Sequence, residues 1–395
     1  MANIDYILKR GIAEIIVQSE FRKLLEDGKP LRLKMGFDPT RPHLHLGYAV
    51  ALRKLKQLQE LGHKVILIVG DWTAQIGDPA GRSETRTMLS AEEVKANAET
   101  YMRQFFRVVD KDKTEVAWQS EWFGKFTLAD VIGLTSRFTV AQMLAREDFA
   151  TRYQANRPIA ITEFLYPLLQ GYDSVAIESD VEFGGMDQKF NCLVGRDLQG
   201  MVGLRPQQVV LTPLLIGTDG RKMSQSFGNY IAFEDPPQDM YGKVMSIPDS
   251  IMMDYFELLT DVPDGELVEM KTRMNDGSAN PMEYKLRLAR EITQEFHDAE
   301  KAREAEAHFN RVVREREIPE DMIEYQLELA GGAVDLTKVL ADAKVVQSRS
   351  EAQRLIKQRA VQVDNEVVDG PLWSLKDGSV VKVGKRRYLK IVDVG

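Results

Sequence analysis

Cysteine is almost absent from this chain of 395 residues, and this scarcity restricts the class of protein. The one cysteine, Cys192, excludes an internal disulfide framework and a zinc site built from several cysteines. No run of about 18 apolar residues is present, so a membrane span is excluded at this stage. Residues 1–6 lack the basic stretch followed by an apolar stretch that is typical of a signal peptide. We therefore expect a cytoplasmic protein with no membrane partner.

Two common nucleotide-binding fingerprints are missing as well. The sequence has no G-x-G-x-x-G after a predicted strand and no G-x-x-x-x-G-K-[ST] loop. The formal net charge of −8 argues against nucleic acid as a partner. Residues 334–395, however, hold 12 basic and 8 acidic side chains, a net charge of +4, and the rest of the chain carries −12. A basic tail on an acidic body is typical of a nucleic-acid-binding module, although a solvated charged surface has the same composition.

The length of the chain predicts two or three domains. Apolar runs at residues 31–37 and 65–69 predict buried strands, with a helix from about 46 to 61 between them. This alternation predicts an α/β fold with a doubly wound parallel sheet. Residues 209–216 form a further predicted strand, and residues 236–325 have a helical pattern. A predicted helix and short valine-rich strands make the C-terminal segment α+β.

Two segments have the composition of phosphate-binding loops. Residues 36–48, GFDPTRPHLHLGY, follow the first predicted strand and lead into a helix, where ligands of doubly wound sheets bind. Thr40 and His45 can donate hydrogen bonds there, and Gly47 lets a flat base approach the backbone. Residues 219–226, DGRKMSQS, follow a later predicted strand and offer Lys222 and two hydroxyls to phosphates. The alternatives are a structural histidine and an ordinary surface turn.

Together the two segments resemble the signatures of class I aminoacyl-tRNA synthetases. These are H-x-G-H near the N-terminus and K-M-S-K-S after the last strand of a split, Rossmann-like nucleotide-binding fold. Here they occur in that order, with His45 and Lys222 separated by 177 residues. Residues 36–40, 76–79, 166–173 and 184–188 further resemble tyrosyl-tRNA synthetases, in the bacterial form with a short C-terminal RNA-binding domain. The resemblance extends over nearly the whole chain.

The spacing of Tyr166, Gln170 and Asp173 supports this specificity. Steps of four and three residues place the three side chains on one face of a helix. A buried carboxylate at Asp173 can accept a hydrogen bond from a phenol hydroxyl, whereas phenylalanine would leave that carboxylate unpaired. The alternative is an amphipathic helix whose aspartate is solvated.

The resemblance implies a ligase that attaches L-tyrosine to tRNA(Tyr) in two steps. Tyrosyl-adenylate forms from ATP with release of pyrophosphate, and the acyl group then passes to the 3′-terminal adenosine of the tRNA. ATP enters with its Mg²⁺, and neither a tightly bound cofactor nor a resident metal is expected. The implied catalytic residues are Thr40, His45, Arg82, Arg86, Lys222 and Ser224. The implied ATP-binding residues are Asp38, His45, Gly47, Tyr48, Gly185, Asp187, Lys222 and Ser226, and the implied tyrosine-binding residues are Asp78, Tyr166, Gln170, Asp173 and Gln188.

Three positions depart from the family pattern. Tyr48 replaces the second histidine of H-x-G-H, and Gln225 replaces the second lysine of K-M-S-K-S. Lys34 stands where many relatives place a tyrosine whose hydroxyl helps to bind the substrate. We interpret these changes as a weaker grip on the phosphates, which Arg82 and Arg86 partly offset.

The resemblance also implies three domains and a homodimer. We predict a catalytic domain over residues 1–230 with a dimer-forming insertion at about 120–160, a helical anticodon-binding domain over 231–330, and an RNA-binding domain over 334–395. The last resembles a domain of the small-subunit ribosomal protein called S-four. Its predicted RNA-binding residues are Arg349, Arg354, Lys357, Arg359, Lys385, Arg386 and Arg387.

Other functions are not excluded by the residues alone. Tryptophanyl-tRNA synthetase is the nearest enzymatic alternative, since an acid can also accept a bond from an indole N–H. Small nucleotidyltransferases share H-x-G-H but are shorter and lack the tail. A non-catalytic RNA-binding protein on a synthetase scaffold is a third alternative, supported by Tyr48 and Gln225.

Overall fold

The structure of the protein, a computed structural model, describes residues 4–79, 90–314, 322–329, 332–364, 366–384 and 387–394. The chain folds as two compact units, Met1–Glu306 and Ala307–Gly395. Within the described ranges, no helix is both long and apolar enough to cross a membrane. The predicted boundary at residues 230 and 231 lies inside the first unit and stays a prediction, and the predicted segment 334–395 lies inside the second unit.

The first unit is built around a mixed sheet that is mostly parallel. Its strands pair in the order β1-β6-β5-β2-β3-β4. Among the described strands of this sheet, only β1 and β6 pair antiparallel, and the other neighbours are parallel. These strands are β1 (Glu14–Ile16), β2 (Arg32–Phe37), β3 (Lys64–Val69), β4 (Thr114–Trp118), β5 (Val181–Gly185) and β6 (Gln208–Thr212). The chain proceeds from β2 outward to β4 and then returns to place β5 on the other side of β2. This reversal confirms the doubly wound fold.

Helices surround the sheet and fill the remainder of the first unit. In chain order they are α1 (Ile4–Ile7), α2 (Gln18–Glu26), α3 (Leu46–Glu60), α4 (Thr73–Ile76), α5 (Ala91–Phe105), α6 (Ser120–Phe123), α7 (Leu128–Thr135), α8 (Val140–Met143), α9 (Glu147–Gln154), α10 (Ile161–Ala176), α11 (Lys189–Met201), α12 (Pro237–Met245), α13 (Met252–Leu259), α14 (Asp264–Asn275), α15 (Pro281–Phe296) and α16 (Ala299–Phe309). Short 3₁₀ turns lie at Lys111–Lys113, Met186–Gln188, Gln225–Phe227 and Asp249–Ile251. The last residues of α16 belong to the second unit, as does the π-helical turn that follows at Asn310–Arg314.

The core of the first unit follows from the apolar runs of its central strands. Every residue from Val65 to Val69 is fully buried, so β3 is covered on both faces. The α3 helix begins at His45, whose ring accepts the backbone N–H of Gly47, and α5 begins with a capping box between Ser90 and Glu93. β2, β3 and α3 thus confirm the strands predicted at 31–37 and 65–69 and the helix predicted at about 46–61.

The second unit is α+β, as predicted. A five-stranded sheet has the order β10-β9-β12-β13-β7, in which β13 and β7 are parallel, and β8 pairs with β11 separately. Its elements are β7 (Ile323–Leu327), β8 (Ala333–Asp335), α17 (Leu336–Asp342), α18 (Arg349–Lys357), β9 (Val361–Val363), β10 (Glu366–Val367), β11 (Leu372–Ser374), β12 (Val380–Val383) and β13 (Arg387–Asp393). Leucine, isoleucine and valine side chains of both helices and the sheet form its own core.

Two predicted elements differ from the structure. The strand predicted at 209–216 ends at Thr212, because Pro213 follows and lacks the N–H that a strand would need. Within the segment predicted to be helical, 236–325, helical elements are described as far as Arg314, and β7 at the end of the segment is a strand. The sequence of β7, IEYQL, alternates apolar and polar residues with the period of a strand, and the strand pairs in parallel with β13, more than 60 residues later in the sequence.

Candidate active site

The predicted site residues converge at the carboxyl ends of β2 and β5. These strands are neighbours at the point where the order of the sheet reverses, and ligands of doubly wound folds bind in the crevice that such a reversal creates. Asp38 directly follows β2, and Asp187 and Gln188 follow β5 in a 3₁₀ turn. Helix α10 supplies Tyr166, Gln170 and Asp173, on one face as predicted.

Asp38 connects α10 to the loop after β3. Its Oδ2 accepts a hydrogen bond from the Tyr166 hydroxyl at 2.8 Å, and its Oδ1 accepts one from Thr73 Oγ1 at 2.7 Å. Gly70 makes this approach possible, because a Cβ at that position would collide with both Asp38 Oδ1 and Thr73 Oγ1. Since the Tyr166 hydroxyl uses its proton on Asp38, its oxygen remains able to accept a hydrogen bond from a ligand.

Asp173 is a fully buried carboxylate with two neutral donors. Gln119 Nε2 donates to Oδ2 at 2.8 Å, and Trp122 Nε1 donates to Oδ1 at 3.1 Å. Gln119 is itself held through Oε1, which accepts the backbone N–H groups of Trp72 at 3.2 Å and of Thr73 at 3.0 Å. Burial raises the pKa of Asp173 to about 7, against the opposing effect of the nearby Lys34 charge. The group therefore titrates near neutral pH.

A second network joins Asp78 to the turn after β5. Gln188 Nε2 donates to Asp78 Oδ2 at 2.6 Å, and Arg146 Nη2 lies 3.2 Å from Asp78 Oδ1. Asn191 Nδ2 donates to the side-chain oxygens of both Gln188 and Gln170, at 3.0 and 2.9 Å. Three of the predicted tyrosine-binding residues thus share one hydrogen-bonded cluster.

The first turn of α3 holds His45, Gly47 and Tyr48. Burial and the charge of Lys222 lower the pKa of His45 to about 4, so the ring is uncharged at neutral pH. Its Nδ1 accepts the Gly47 N–H at 3.2 Å, which leaves Nε2 as the donor. The rings of His45 and Tyr48 lie 4.9 Å apart between centroids, and burial raises the pKa of Tyr48 to about 12. Tyr48 is therefore a neutral side chain, and its ring lies edge-on to that of Tyr101, with the centroids 6.5 Å apart.

The loop at 219–226 lies against these groups. Lys222 Nζ is 2.7 Å from Asp187 Oδ2, and the Gln225 amide donates to the backbone carbonyl of His43. Ser224 caps the short turn by accepting the N–H of Ser226 at 3.2 Å. Asn229 and Arg221 bind Asp219 and lower its pKa to about 2. Gln225 thus forms a neutral link between the two signature segments.

The remaining predicted site residues are Thr40, Gly185 and four basic side chains. Thr40 is half-buried, and its N–H donates to the Asp38 carbonyl at 2.8 Å. Gly185 contributes space, since a Cβ there would lie 2.7 Å from Asp187 Oδ1. Arg82, Arg86, Lys385 and Arg386 lie outside the described residues.

In the second unit, the predicted RNA-binding residues lie mostly on α18. Arg349, Arg354 and Lys357 are exposed on that helix, and Arg359 follows it, also exposed. Arg387 at the start of β13 donates to the Val345 carbonyl at 2.6 Å and lies 3.4 Å from Glu351. Arg387 is therefore partly engaged within the unit, whereas the α18 cations face solvent.

Comparison with known proteins identifies the family. Residues 26–314 match the family described as tRNA synthetases class I (W and Y), and residues 336–381 match the S4 domain. A tyrosine–tRNA ligase of Dehalococcoides mccartyi strain CBDB1 is 58% identical over 98% of each chain, and one of Thermotoga maritima is 49% identical over 98% of this chain and 96% of its own. The chain belongs to the tyrosine–tRNA ligase family.

Solved structures of tyrosyl- and tryptophanyl-tRNA synthetases share the fold of about three quarters of this chain. A tyrosyl-tRNA synthetase of Archaeoglobus fulgidus, complexed with L-tyrosine, has a TM-score of 0.63 and 23% identity over 76% of this chain and 98% of its own. Tryptophanyl-tRNA synthetase of Plasmodium falciparum has a TM-score of 0.57 and 18% identity over 73% of this chain and 80% of its own. At these identities the likeness concerns the fold alone, and it confirms the predicted class I architecture.

Several side chains that organise the site were not predicted from the sequence. Gln119, Trp122, Arg146 and Asn191 bind the predicted residues directly, and Glu182 binds Gln170 Nε2 at 3.1 Å. Gln119 follows β4, whose sequence TEVAW lacks a continuous apolar run. Position at the carboxyl end of a strand was the available signal for Gln119, but it required β4 to be recognised first.

The raised pKa of Asp173 predicts a change in stability with pH. A carboxyl whose pKa is about 7 in the folded protein and 3.8 in the unfolded chain binds more protons when folded, so its contribution to stability falls as the pH rises through this window. Asp173→Asn removes that titration. Between pH 5 and pH 8, its unfolding free energy should gain about 2–3 kcal/mol relative to the unsubstituted protein.

Urea titrations at pH 5 and pH 8 measure this difference. The exposed Asp197→Asn is the matched control and should show no pH-dependent difference. The loss of one acceptor at position 173 adds an offset that is the same at both pH values. An Asp173→Asn curve parallel to that of the unsubstituted protein would contradict the assigned pKa.

Proposed function

We propose that the protein attaches L-tyrosine to tRNA(Tyr) in two steps, with ATP and its Mg²⁺ as substrate. The observation that carries this proposal is the buried Asp173 on the same helix face as Tyr166 and Gln170. Each carboxylate oxygen of Asp173 has one protein donor and retains a lone pair for a phenol hydroxyl. Membership in the tyrosine–tRNA ligase family supports the same substrate.

The ammonium group of the amino acid would lie among oxygen atoms. Asp78 Oδ atoms, the Tyr166 hydroxyl oxygen and Gln170 Oε1 are available as acceptors, and each is oriented by a protein partner. Gln188 is bound to Asp78 and would lie near the carboxylate of the substrate. Such fixed dipoles bind a cation without reorganisation when it arrives.

In the first step, the tyrosine carboxylate attacks the α-phosphorus of ATP in line with the pyrophosphate leaving group. The carboxylate already has the nucleophilic charge, so no general base is needed. Catalysis then consists of positioning and electrostatic stabilisation. His45 is uncharged and donates through Nε2, and with Thr40 it would contact the γ-phosphate. Gly47 would pack against adenine.

Lys222 and Asp187 change partners in this proposal. Asp187 would accept the ribose hydroxyls, and Lys222 and Ser224 would move to the phosphates with their loop. The Lys222–Asp187 pair is partly exposed, and exposed ion pairs contribute little stability. The free-energy cost of separating Lys222 from Asp187 is therefore small. In the second step, the acyl group passes to the 3′-terminal adenosine of the tRNA.

The first test is amino-acid-dependent exchange of pyrophosphate into ATP. Tyrosine should support exchange, and Asp173→Asn should lower kcat/KM for tyrosine by about 10- to 100-fold, because a hydrogen bond to a charged group is lost. Asp197→Asn serves as the control and should retain the activity. Exchange with tryptophan instead would change the specificity, and RNA binding with no tyrosine-dependent exchange would leave the non-catalytic alternative.

We further propose that α18 binds the tRNA backbone. Its exposed cations would neutralise phosphates, a contribution that weakens as the salt concentration rises. The basic charge of residues 334–395 and the match to the S4 domain support this role.

The double variant Arg354→Ala/Lys357→Ala should bind tRNA more weakly and spare tyrosine-dependent exchange. The slope of log affinity against log salt should become shallower by about 1 for each cation removed. Filter binding over a salt series measures both quantities. Lys376→Ala, an exposed lysine of the same unit, is the control. A slope that is the same in the double variant and the control would contradict a phosphate contact.

The homodimer is also a proposal. Helices α7 to α10 carry large apolar side chains that are each more than half exposed, and such exposure is characteristic of an interface. They are Leu128, Ile132, Val140, Tyr153 and Ile161. All lie in or next to the predicted insertion at about 120–160.

Ile132→Asp/Val140→Asp should convert the dimer into a monomer, because two carboxylates would lose their hydration in the interface. Sedimentation velocity measures the mass. Val268→Asp places a charge on an equally exposed apolar position of α14 and should leave the dimer intact. An unsubstituted protein that sediments as a monomer at micromolar concentration would contradict the proposal.

A further inference from the structure

Directly beneath the proposed tyrosine site, the two central strands carry a buried ion pair. Lys34 on β2 and Glu182 on β5 are opposite each other in the parallel ladder, and both are essentially inaccessible to water. Lys34 Nζ lies 3.0 Å from Glu182 Oε1. Burying two charges is costly unless further hydrogen bonds satisfy them. The other partners of this pair therefore indicate what it holds in place.

Both charges bind helix α10. Lys34 Nζ donates to the Gln170 backbone carbonyl at 2.8 Å and to Ser174 Oγ at 2.7 Å. Glu182 accepts from Gln170 Nε2 at 3.1 Å and from the Ser174 hydroxyl at 3.3 Å. The pair thus holds the backbone and the side chain of Gln170, together with a residue one turn later on the same helix.

Lys34 has no donor left for a ligand. An ammonium group has three N–H donors, and the oxygens of Gln170, Ser174 and Glu182 take one each. Lys34 therefore does not substitute for the substrate-binding tyrosine hydroxyl that many relatives have at this position. Its effect on a ligand passes through the residues that it holds.

Asp173 lies between the two held residues of α10. The positive charge of Lys34 lowers the pKa of Asp173 and the negative charge of Glu182 raises it, while Gln119 and Trp122 lower it as neutral donors. Burial outweighs these effects and gives the value of about 7. Loss of Lys34 would therefore favour the protonated form of Asp173.

We propose that Lys34 and Glu182 are positioning residues for tyrosine: by binding Gln170 and Ser174, the pair fixes the turn of α10 that carries Gln170 and Asp173. This inference rests on the proposed function, because tyrosine is the ligand. Recognition of tyrosine would then depend on Lys34 and Glu182, although neither residue contacts tyrosine or ATP.

The test is Lys34→Met in the full chain, assayed by pyrophosphate exchange. The KM for tyrosine should rise about 10-fold or more, because charged hydrogen bonds to the helix are lost, and the KM for ATP should change by less than about 3-fold. The acid limb of the pH profile of kcat/KM for tyrosine should move to higher pH. Lys54→Met, which removes another buried lysine of the first unit, should leave the KM for tyrosine unchanged.

A second variant keeps the test decisive if Lys34→Met does not fold, since that change leaves the Glu182 carboxylate without its counter-charge. Lys34→Met/Glu182→Met removes both charges, should melt cooperatively, and should still show the raised KM for tyrosine. A folded variant with an unchanged KM for tyrosine, or with equal rises for tyrosine and ATP, overturns the inference. Absence of tyrosine-dependent exchange in the unsubstituted protein instead refutes the proposed function itself.

Discussion

The candidate site depends on one constraint, the burial of charged groups where β2 and β5 lie side by side. The chain leaves these two strands in opposite directions across the sheet, so the segments that follow them diverge and leave a crevice. Polar side chains in such a crevice lose their hydration and need partners inside the protein. The hydrogen bonds of the Thr73 hydroxyl to Asp38, of the Thr73 backbone N–H to Gln119, and of Gln119 to Asp173 meet this need. Because each partner is also held by another group, satisfying the buried polar atoms orients the site as well.

In the proposed function, Asp173 would serve the recognition of tyrosine at the expense of stability. A carboxylate with a pKa of about 7 costs folding energy at neutral pH, and a surface aspartate would avoid that cost. The same burial makes the ionisation of Asp173 sensitive to the ligand group that contacts its carboxylate. A phenol hydroxyl donates to the ionised form and favours it, whereas an apolar ring leaves the charge in a dry environment with one donor fewer. Selectivity by this route requires that water stay out, and Asp173 is only 1% exposed, with its two carboxylate oxygens bound by Gln119 and Trp122.

The sequence pattern predicts the parts of this arrangement that are local. β2, β3 and α3 follow from apolar runs and a helix start, and the spacing in α10 places Tyr166, Gln170 and Asp173 on one face. The missed features depend on contacts distant in sequence. The parallel partner of β7 is β13, more than 60 residues later in the sequence, and Glu182 reaches Lys34 only through the register of β5 with β2. The departure at Lys34 is visible in the sequence, but its meaning depends on three oxygens contributed by α10 and β5.

The two lysines of the site illustrate why location decides the role of a charge. Lys34 is buried, and each of its three N–H donors has a partner. Displacing it would therefore leave its ammonium group and the Glu182 carboxylate without their opposite charges in the protein interior. Lys222 is nearly half exposed and has water as an alternative partner, so its pair with Asp187 breaks at little cost. A rigid charge suits the recognition of a side chain that must always bind in one position. A charge that can be released suits phosphates, which enter with ATP and leave as pyrophosphate. In the proposed function, replacement of the second signature lysine by Gln225 would fit this division, because the amide holds the loop against the His43 carbonyl without adding a charge that must be desolvated.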